Sequence, residues 1–297
     1  MQFFFEVLIG GLLSGVMYSL VALGFVLIYK ASGVFNFAQG SMVFFAALTF
    51  VGLLEKGLGF WLALPATLAV MIVLGLVIER IVLRPLINQP QITLFMATIG
   101  LSFFIEGLAQ LMWGANVRGL ELGIQDEPLQ WVSDVAGVNV SKFDLVAAGI
   151  AAVLVSTLAI FFSRTRIGRA LRAVADDHQA ALAVGIPLQQ IWGIVWAVAG
   201  AVALVAGLLW GARNGVQFAL TFVALKALPV LILGGFESIP GAVVGGLIVG
   251  ASEKLAEVYV GPYVGGGIEG WFPYVLALLF LLVRPEGLFG EKIIRRI

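Results

Sequence analysis

The sequence predicts an all-α polytopic integral membrane protein with about 8–10 transmembrane helices. Three observations predict it. Hydrophobic residues make up 61% of the 297-residue chain and charged residues only 11%, where a soluble domain carries roughly 25% charged residues. The apolar residues fall in long runs, and about 20 in a row cross the hydrocarbon core as a helix. Most of the charges lie in the short stretches between those runs. The formal net charge is zero, from 17 basic and 17 acidic residues, so nothing electrostatic favours nucleic acid. Cysteine is absent, which removes disulfides and thiolate metal sites.

The apolar segments lie at about residues 3–29, 36–54, 60–83, 92–113, 144–162, 191–210, 217–235, 240–258 and 271–283. The first lacks a basic n-region and carries Glu6, so it reads as a retained span and not a cleaved signal. The second follows it so closely that a broken or re-entrant segment is expected there. Pro65, Pro229 and Pro273 fall in the third, seventh and ninth, where kinks are tolerated if neighbours satisfy the freed carbonyls. Gly11/Gly15, Gly241/Gly245 and Gly246/Gly250 have GxxxG spacing, the pattern that lets helix backbones approach closely in lipid. We assign these pairs to packing within one subunit.

Polar groups inside spans are costly and mark candidate pathways. Asn36 and Gln39 open the second segment; Thr98, Ser102 and Glu106 lie in the fourth; Lys226 lies in the seventh, three residues before Pro229. These six are the candidate lining of a path for a small polar solute, the alternative being snorkelling or helix-to-helix hydrogen bonding. Glu253, Lys254 and Glu257 cluster near the end of the eighth segment and read as interfacial.

Basic residues give the spans a direction. With the 163–190 loop in the cytoplasm, Lys30, Arg80, Arg84, Arg164, Arg166, Arg169, Arg172, Arg284, Lys292, Arg295 and Arg296 share that side. Lys56, Arg118, Lys142, Arg213 and Lys254 take the other. This bias follows the positive-inside rule and places the N-terminus outside and the C-terminus inside.

Two longer interruptions face water. Residues 114–143 form an acidic extracytoplasmic loop, with Trp131 and Val138–Val140 suited to short strands; it reads as a docking surface for a soluble protein or as a solvated connector. Residues 163–190 read as a cytoplasmic loop. Within it Leu171, Val174, Ala175, His178 and Leu182 recur at helical steps, Arg172 and Asp176 have ion-pair spacing, and Gly185 with Pro187 ends the run. Such a helix lies on a membrane surface or presses into a groove of a partner. Ala170, Ala173, Ala180 and Ala181 suit the partner.

Catalytic signatures are missing. There is no GxxxxGK[ST] loop, no HExxH and no GxSxG elbow, and His178 is the single histidine. The chain is therefore expected to be neither an enzyme nor its own ATPase, and to hold no metal.

Five stretches in order resemble the LivH-type permeases of bacterial branched-chain amino-acid ABC transporters. They are Gly15–Gly40, which ends in NFAQG, Ile78–Leu86 with Ala97–Gly114, Gly168–Ile186, Leu233–Gly250, and Arg284–Gly290. The resemblance covers nearly the whole chain and implies one transmembrane permease domain over residues 1–297, in an ABC importer permease fold. It implies a multi-pass protein of the bacterial inner membrane, working by alternating access for branched-chain amino acids or a related small polar solute. It also implies a second, LivM-like permease, two cytoplasmic ATPases that bind ATP and Mg while this chain binds no cofactor, and a periplasmic substrate-binding protein. On this likeness Gly168, Arg169, Arg172, Ala173, Asp177, Ala181 and Gly185 carry coupling to an ATPase. Gln39 stands where the family usually has His, and Lys30 where Gly is common. Related permeases take urea, amides or aromatic acids, which keeps these as alternative substrates. An ion-coupled secondary transporter using Glu106 is the remaining alternative, and the 163–190 helix, which such a carrier does not need, opposes it.

Overall fold

The computed structural model describes residues 2–86, 89–130, 133–134, 137–176 and 178–290. Each of the nine apolar segments falls on a helix. In chain order these are α1 (Gln2–Ser32), α2 (Gln39–Glu55), α3 (Phe60–Val77), α4 (Gln91–Trp113) and α5 (Lys142–Arg164). After two short helices, α6 (Arg166–Asp176) and α7 (His178–Ala183), come α8 (Leu188–Asn214), α9 (Val223–Gly234) and α10 (Ile239–Tyr259). The short α11 (Gly261–Val264) and then α12 (Phe272–Val283) complete the order. Among the described residues, six helices are long and apolar enough to cross a membrane, with α3 running on to Leu86; three apolar ones are shorter.

The second segment is not broken. The chain turns at Gly33 (φ 66°) and continues as α2, an uninterrupted helix of 17 residues whose Gln39–Gly52 stretch is wholly buried. At 1.5 Å per residue it is about 26 Å long, a little short of the hydrocarbon core, and it meets protein on every side. The seventh segment is broken instead: a 3₁₀ turn, Phe218–Phe222, precedes α9. Pro65 and Pro229 lie inside helices, but Pro273 does not kink one. It sits in the first turn of α12, where its missing N–H has no intrahelical acceptor to lose. The valines of the 114–143 loop make no strand among the described residues. One antiparallel bridge joins Pro128 to Ser141, and Val138 and Val140 are buried as single side chains. Trp131 lies outside the described residues.

The chain divides into two compact units, Met1–Ala22 with Gly123–Val155 and Leu225–Ile297, and Leu23–Leu122 with Ser156–Ala224. In the first, the GxxxG pairs meet one another. A Cβ at Gly11 would lie 2.9 Å from Ala251 Cα, and one at Gly15 would lie 3.0 Å from Leu247 Cα, so α1 crosses α10 in antiparallel register, main chain on main chain. Gly245 packs in the same way on Val230, and Gly241 on Gly234, closing the α9–α10 hairpin. Packing within one subunit is what these glycines do. Gly250→Val is therefore expected to leave no stably folded permease, because its branches would meet the Gly11 and Gly15 backbones and neither can swing aside. Overpacking of this kind costs about 3 kcal/mol or more. Monodisperse, full-yield protein in size-exclusion chromatography would disprove the crossing.

In the second unit α8 is the central helix. Gly75 of α3 faces the Trp196 carbonyl, Gly200 faces that of Met71, and Gly207 faces that of Val43, each 2.5 Å from where a Cβ would stand. The Trp192 indole N–H donates to the Ala31 carbonyl at 2.9 Å. At one end of this unit Arg118 pairs with Glu55 at 2.5 Å and donates to the Trp113 carbonyl, while Lys56 lies 4.6 Å over the Trp113 ring. Arg118 also bridges to Val216. The charge bias assigned Lys56, Arg118 and Arg213 to the outer side, and the structure gathers their segments at one end of the unit.

Candidate functional site

The polar residues of the second and fourth spans come together where α2 packs on α4. The turn into α2 is built by Asn36: its Oδ1 accepts from the Ala38 N–H at 3.1 Å, and its Nδ2 donates to Gln39 Oε1 at 3.3 Å. Asn favours this position because its short side chain satisfies the leading backbone donors of a turn. Thr98 reaches across from α4, accepting from the Phe37 N–H at 3.1 Å and lying 3.2 Å from the Phe35 carbonyl. Gln39 is fully buried against α1 at Gly24, and its Nε2 has no hydrogen-bond partner among the described residues.

One helical turn further on, Ser102 Oγ lies 2.6 Å from Ser41 Oγ, either hydroxyl donating. Glu106 Oε1 lies 2.7 Å from Ser41 Oγ and 3.3 Å from Ser102 Oγ, so when Ser102 donates to Ser41 the Ser41 proton goes to the carboxylate. Thr98, Ser102 and Glu106 recur every four residues, so one stripe of α4 carries them. Glu106 is half-buried and about 10 Å of helix from Trp113. Among the described residues no cationic side chain pairs with it. Asn36, Gln39, Thr98, Ser102 and Glu106, five of the six pathway candidates, thus line one interface. Ser41 belongs with them and was missed, since a single hydroxyl in an apolar helix gives no pattern; the every-fourth-residue stripe on α4 was the available signal.

Lys226, the sixth candidate, has its own partners in the first unit. Its Nζ lies 3.0 Å from Glu253 Oε1 and 3.4 Å from Tyr18 Oη, and the Tyr18 hydroxyl donates to the same carboxylate oxygen at 3.2 Å. The Lys226 side chain is about one third exposed and that of Glu253 is buried. Glu253 therefore does not act with the interfacial Lys254 and Glu257. Lys254 instead donates to Glu269 at 2.8 Å. That hydrogen bond is the main cause holding the Glu269 carboxyl below its ordinary range. The contact is thus present at neutral pH and lost as pH falls through that lowered value.

The coupling candidates lie between the end of α5 and the start of α8. Thr165 caps α6, its hydroxyl accepting from the Gly168 N–H at 3.1 Å. Gly168 is buried so closely on Phe162 that no Cβ fits. Arg172 does not pair with Asp176. Its guanidinium donates to the Phe162 carbonyl at 2.7 Å and that of Ser163 at 3.4 Å, satisfying carbonyls at the end of α5 where the helix dipole is negative. Leu171, Val174 and Ala181 are buried, and Leu182 is exposed. Arg169 is exposed, Ala173 half-buried, and Gly185 adopts φ 85°. Asp177 lies outside the described residues.

The described residues thus form a bundle of apolar helices in which polar side chains are buried between helices. Residues 7–284 match the family described as "Branched-chain amino acid transport system / permease component", and the chain belongs to that family. It is 30% identical to the high-affinity branched-chain amino acid transport system permease protein BraD of Pseudomonas aeruginosa, over 99% of this chain and 98% of that one. It is 29% identical to the permease LivH of Escherichia coli K12 over the same shares. The fructose import permease protein FruF of Bifidobacterium longum is 26% identical, over 80% of this chain and 66% of the relative. The chain is thus a multi-pass inner-membrane permease component of an ABC transport system, not an enzyme, and such components work with ATPase and binding-protein partners.

Proposed function

We propose that this permease admits branched-chain amino acids or close relatives, and that Glu106 receives the substrate's ammonium group. The carrying observation is a carboxylate within a span, held by two serine hydroxyls and left without a cationic side chain among the described residues. An unpaired carboxylate in low dielectric is costly unless a cation visits it. Ser41, Ser102, Thr98, Asn36 and the free Gln39 amide then offer hydrogen bonds along the passage. The relatives' names support the amino-acid reading. A neutral urea, amide or sugar would donate hydrogen bonds to the carboxylate but bring it no compensating charge. The deciding experiment is thermal stabilisation of the cognate binding protein against amino acids, urea, amides, aromatic acids and fructose. Stabilisation by leucine, isoleucine or valine is expected; stabilisation by fructose alone would remove the amino-acid assignment.

In this reading a second, related permease completes the pore, and two ATPases bind ATP and Mg, closing to rock the pair between outward and inward access. Gly168, Arg169, Arg172, Ala173, Asp177, Ala181 and Gly185 transmit that closure. Support comes from the way α6 is tied to α5: a tight glycine approach and an arginine capping bond convert any push on α6 into movement of a spanning helix. Arg172→Ala removes the capping bonds, a local loss of about 1 kcal/mol. It is expected to lower uptake per ATP hydrolysed several-fold in proteoliposomes, with the complex still assembled. Unchanged stoichiometry would take Arg172 out of the coupling path.

A further inference from the structure

An open cavity of about 490 Å³ lies where the end of α3 meets the start of α8, lined by Leu76, Glu79, Arg80 and Arg84 on one side and by Gln189 and Gln190 on the other. The positive-inside bias puts this end of both helices at the cytoplasmic surface. From Ile78 to Leu83 the α3 helix widens into a π-helix. In that stretch Glu79 is buried while its neighbour Arg80 is exposed. Arg84 donates to both Glu79 oxygens, at 3.3 and 3.2 Å, which cancels one positive charge. Arg80 has no carboxylate partner among the described residues, so the cavity keeps a net positive charge. The first turn of α8, the positive end of a 27-residue helix dipole, adds to it.

Below the cavity, α3 presents Val73, Leu76 and Val77 at helical spacing, each 44–58% exposed. An apolar strip that leads directly into a cationic, amide-lined pocket at the membrane surface matches a molecule with a hydrocarbon tail and an anionic head. We infer that this cavity binds the phosphate headgroup of an anionic phospholipid from the cytoplasmic leaflet, its acyl chain lying along Val73, Leu76 and Val77. Arg80 supplies the charge, and Gln189 and Gln190 supply amide donors. An acidic side chain from an ATPase would satisfy Arg80 equally but would leave the apolar strip unused, which favours the lipid.

The test uses the full permease assembled with its partners, exchanged into nanodiscs containing phosphatidylcholine with or without phosphatidylglycerol, with retained lipid counted by native mass spectrometry. Wild-type protein is expected to retain phosphatidylglycerol preferentially. Arg80→Gln is expected to reduce that retention about fivefold, the weight of one basic residue at a membrane surface, and Arg80→Lys to preserve it. Gln190→Glu adds opposing charge without disturbing the Arg84–Glu79 pair and is expected to have the effect of Arg80→Gln. Equal phosphatidylglycerol retention by wild type, Arg80→Gln and Gln190→Glu overturns the proposal. So does displacement of the lipid by millimolar inorganic phosphate, which would make this a free-anion site. Loss of ATPase co-purification in Arg80→Gln with lipid retention intact would assign the cavity to the partner and equally overturn it.

Discussion

Glu106→Gln is expected to cut amino-acid uptake by the assembled transporter about 30-fold at limiting substrate. Gln keeps an oxygen that accepts from the serine pair, whose hydroxyls now lie 2.7 and 3.3 Å from the carboxylate. The packing of α2 on α4 is therefore preserved, and thermal stability in detergent is expected to stay close to wild type. The change removes only the negative charge. A charged hydrogen bond to an ammonium contributes about 2 kcal/mol beyond its neutral counterpart, which at 1.4 kcal/mol per decade is roughly 30-fold. Glu106→Asp keeps the charge but shortens the reach, and is expected to fall between the two. Uptake within twofold of wild type for Glu106→Gln, in a complex that still hydrolyses ATP, would exclude an ammonium at this position.

Lys226→Met is expected to act on stability before it acts on transport. Glu253 is buried and draws on Lys226 at 3.0 Å and Tyr18 at 3.2 Å, and its second oxygen has no hydrogen-bond partner among the described residues. Removing the ammonium leaves a buried carboxylate with one hydroxyl donor. Breaking a buried pair from one side costs about 3–5 kcal/mol, whereas replacing both members is often close to neutral. The double variant Lys226→Met/Glu253→Gln is therefore expected to recover most of the lost stability, as judged by thermal unfolding of all three variants. In the opposite result, Lys226→Met unfolds like wild type but loses substrate affinity. That would place Lys226 in the substrate path and make Glu253 its resting counter-ion.

How far each feature could be read from the sequence depends on how local its cause is. Hydrophobic runs and turn residues are local, and every apolar segment falls on a helix, the seventh after an opening 3₁₀ turn. GxxxG spacing is also local. That Gly11 would meet Gly250, and Gly15 meet Gly246, is not, because any of the three motifs could have faced any other. The same limit hid the partner of Lys226, which stands 27 residues away on the next helix. The stripe Thr98, Ser102 and Glu106 was legible from its spacing, but Ser41 needed the packing of α2 on α4 to be seen. The 163–190 helix kept its apolar period over Leu171 and Val174, yet not as far as Leu182, which is exposed while its neighbour Ala181 is buried. An apolar residue at the right spacing is buried only where a neighbouring element covers it. Arg172 shows the same lesson for charge: an acidic residue one turn ahead is a candidate partner, but the unsatisfied carbonyls ending α5 competed for the guanidinium and won.

The crossing of α1 and α10 has a consequence for how the permease moves. A joint made from main chain has no rotamers to relax and no side-chain layer to slide on, so it behaves as a weld. The stretch of α1 that carries Gly11 and Gly15 and the stretch of α10 that carries Gly246 and Gly250 travel as one beam through any transport cycle. Flexing must therefore be found elsewhere along these helices. A covalent cross-link across the weld should leave turnover untouched, and that silence would itself map the rigid part of the machine.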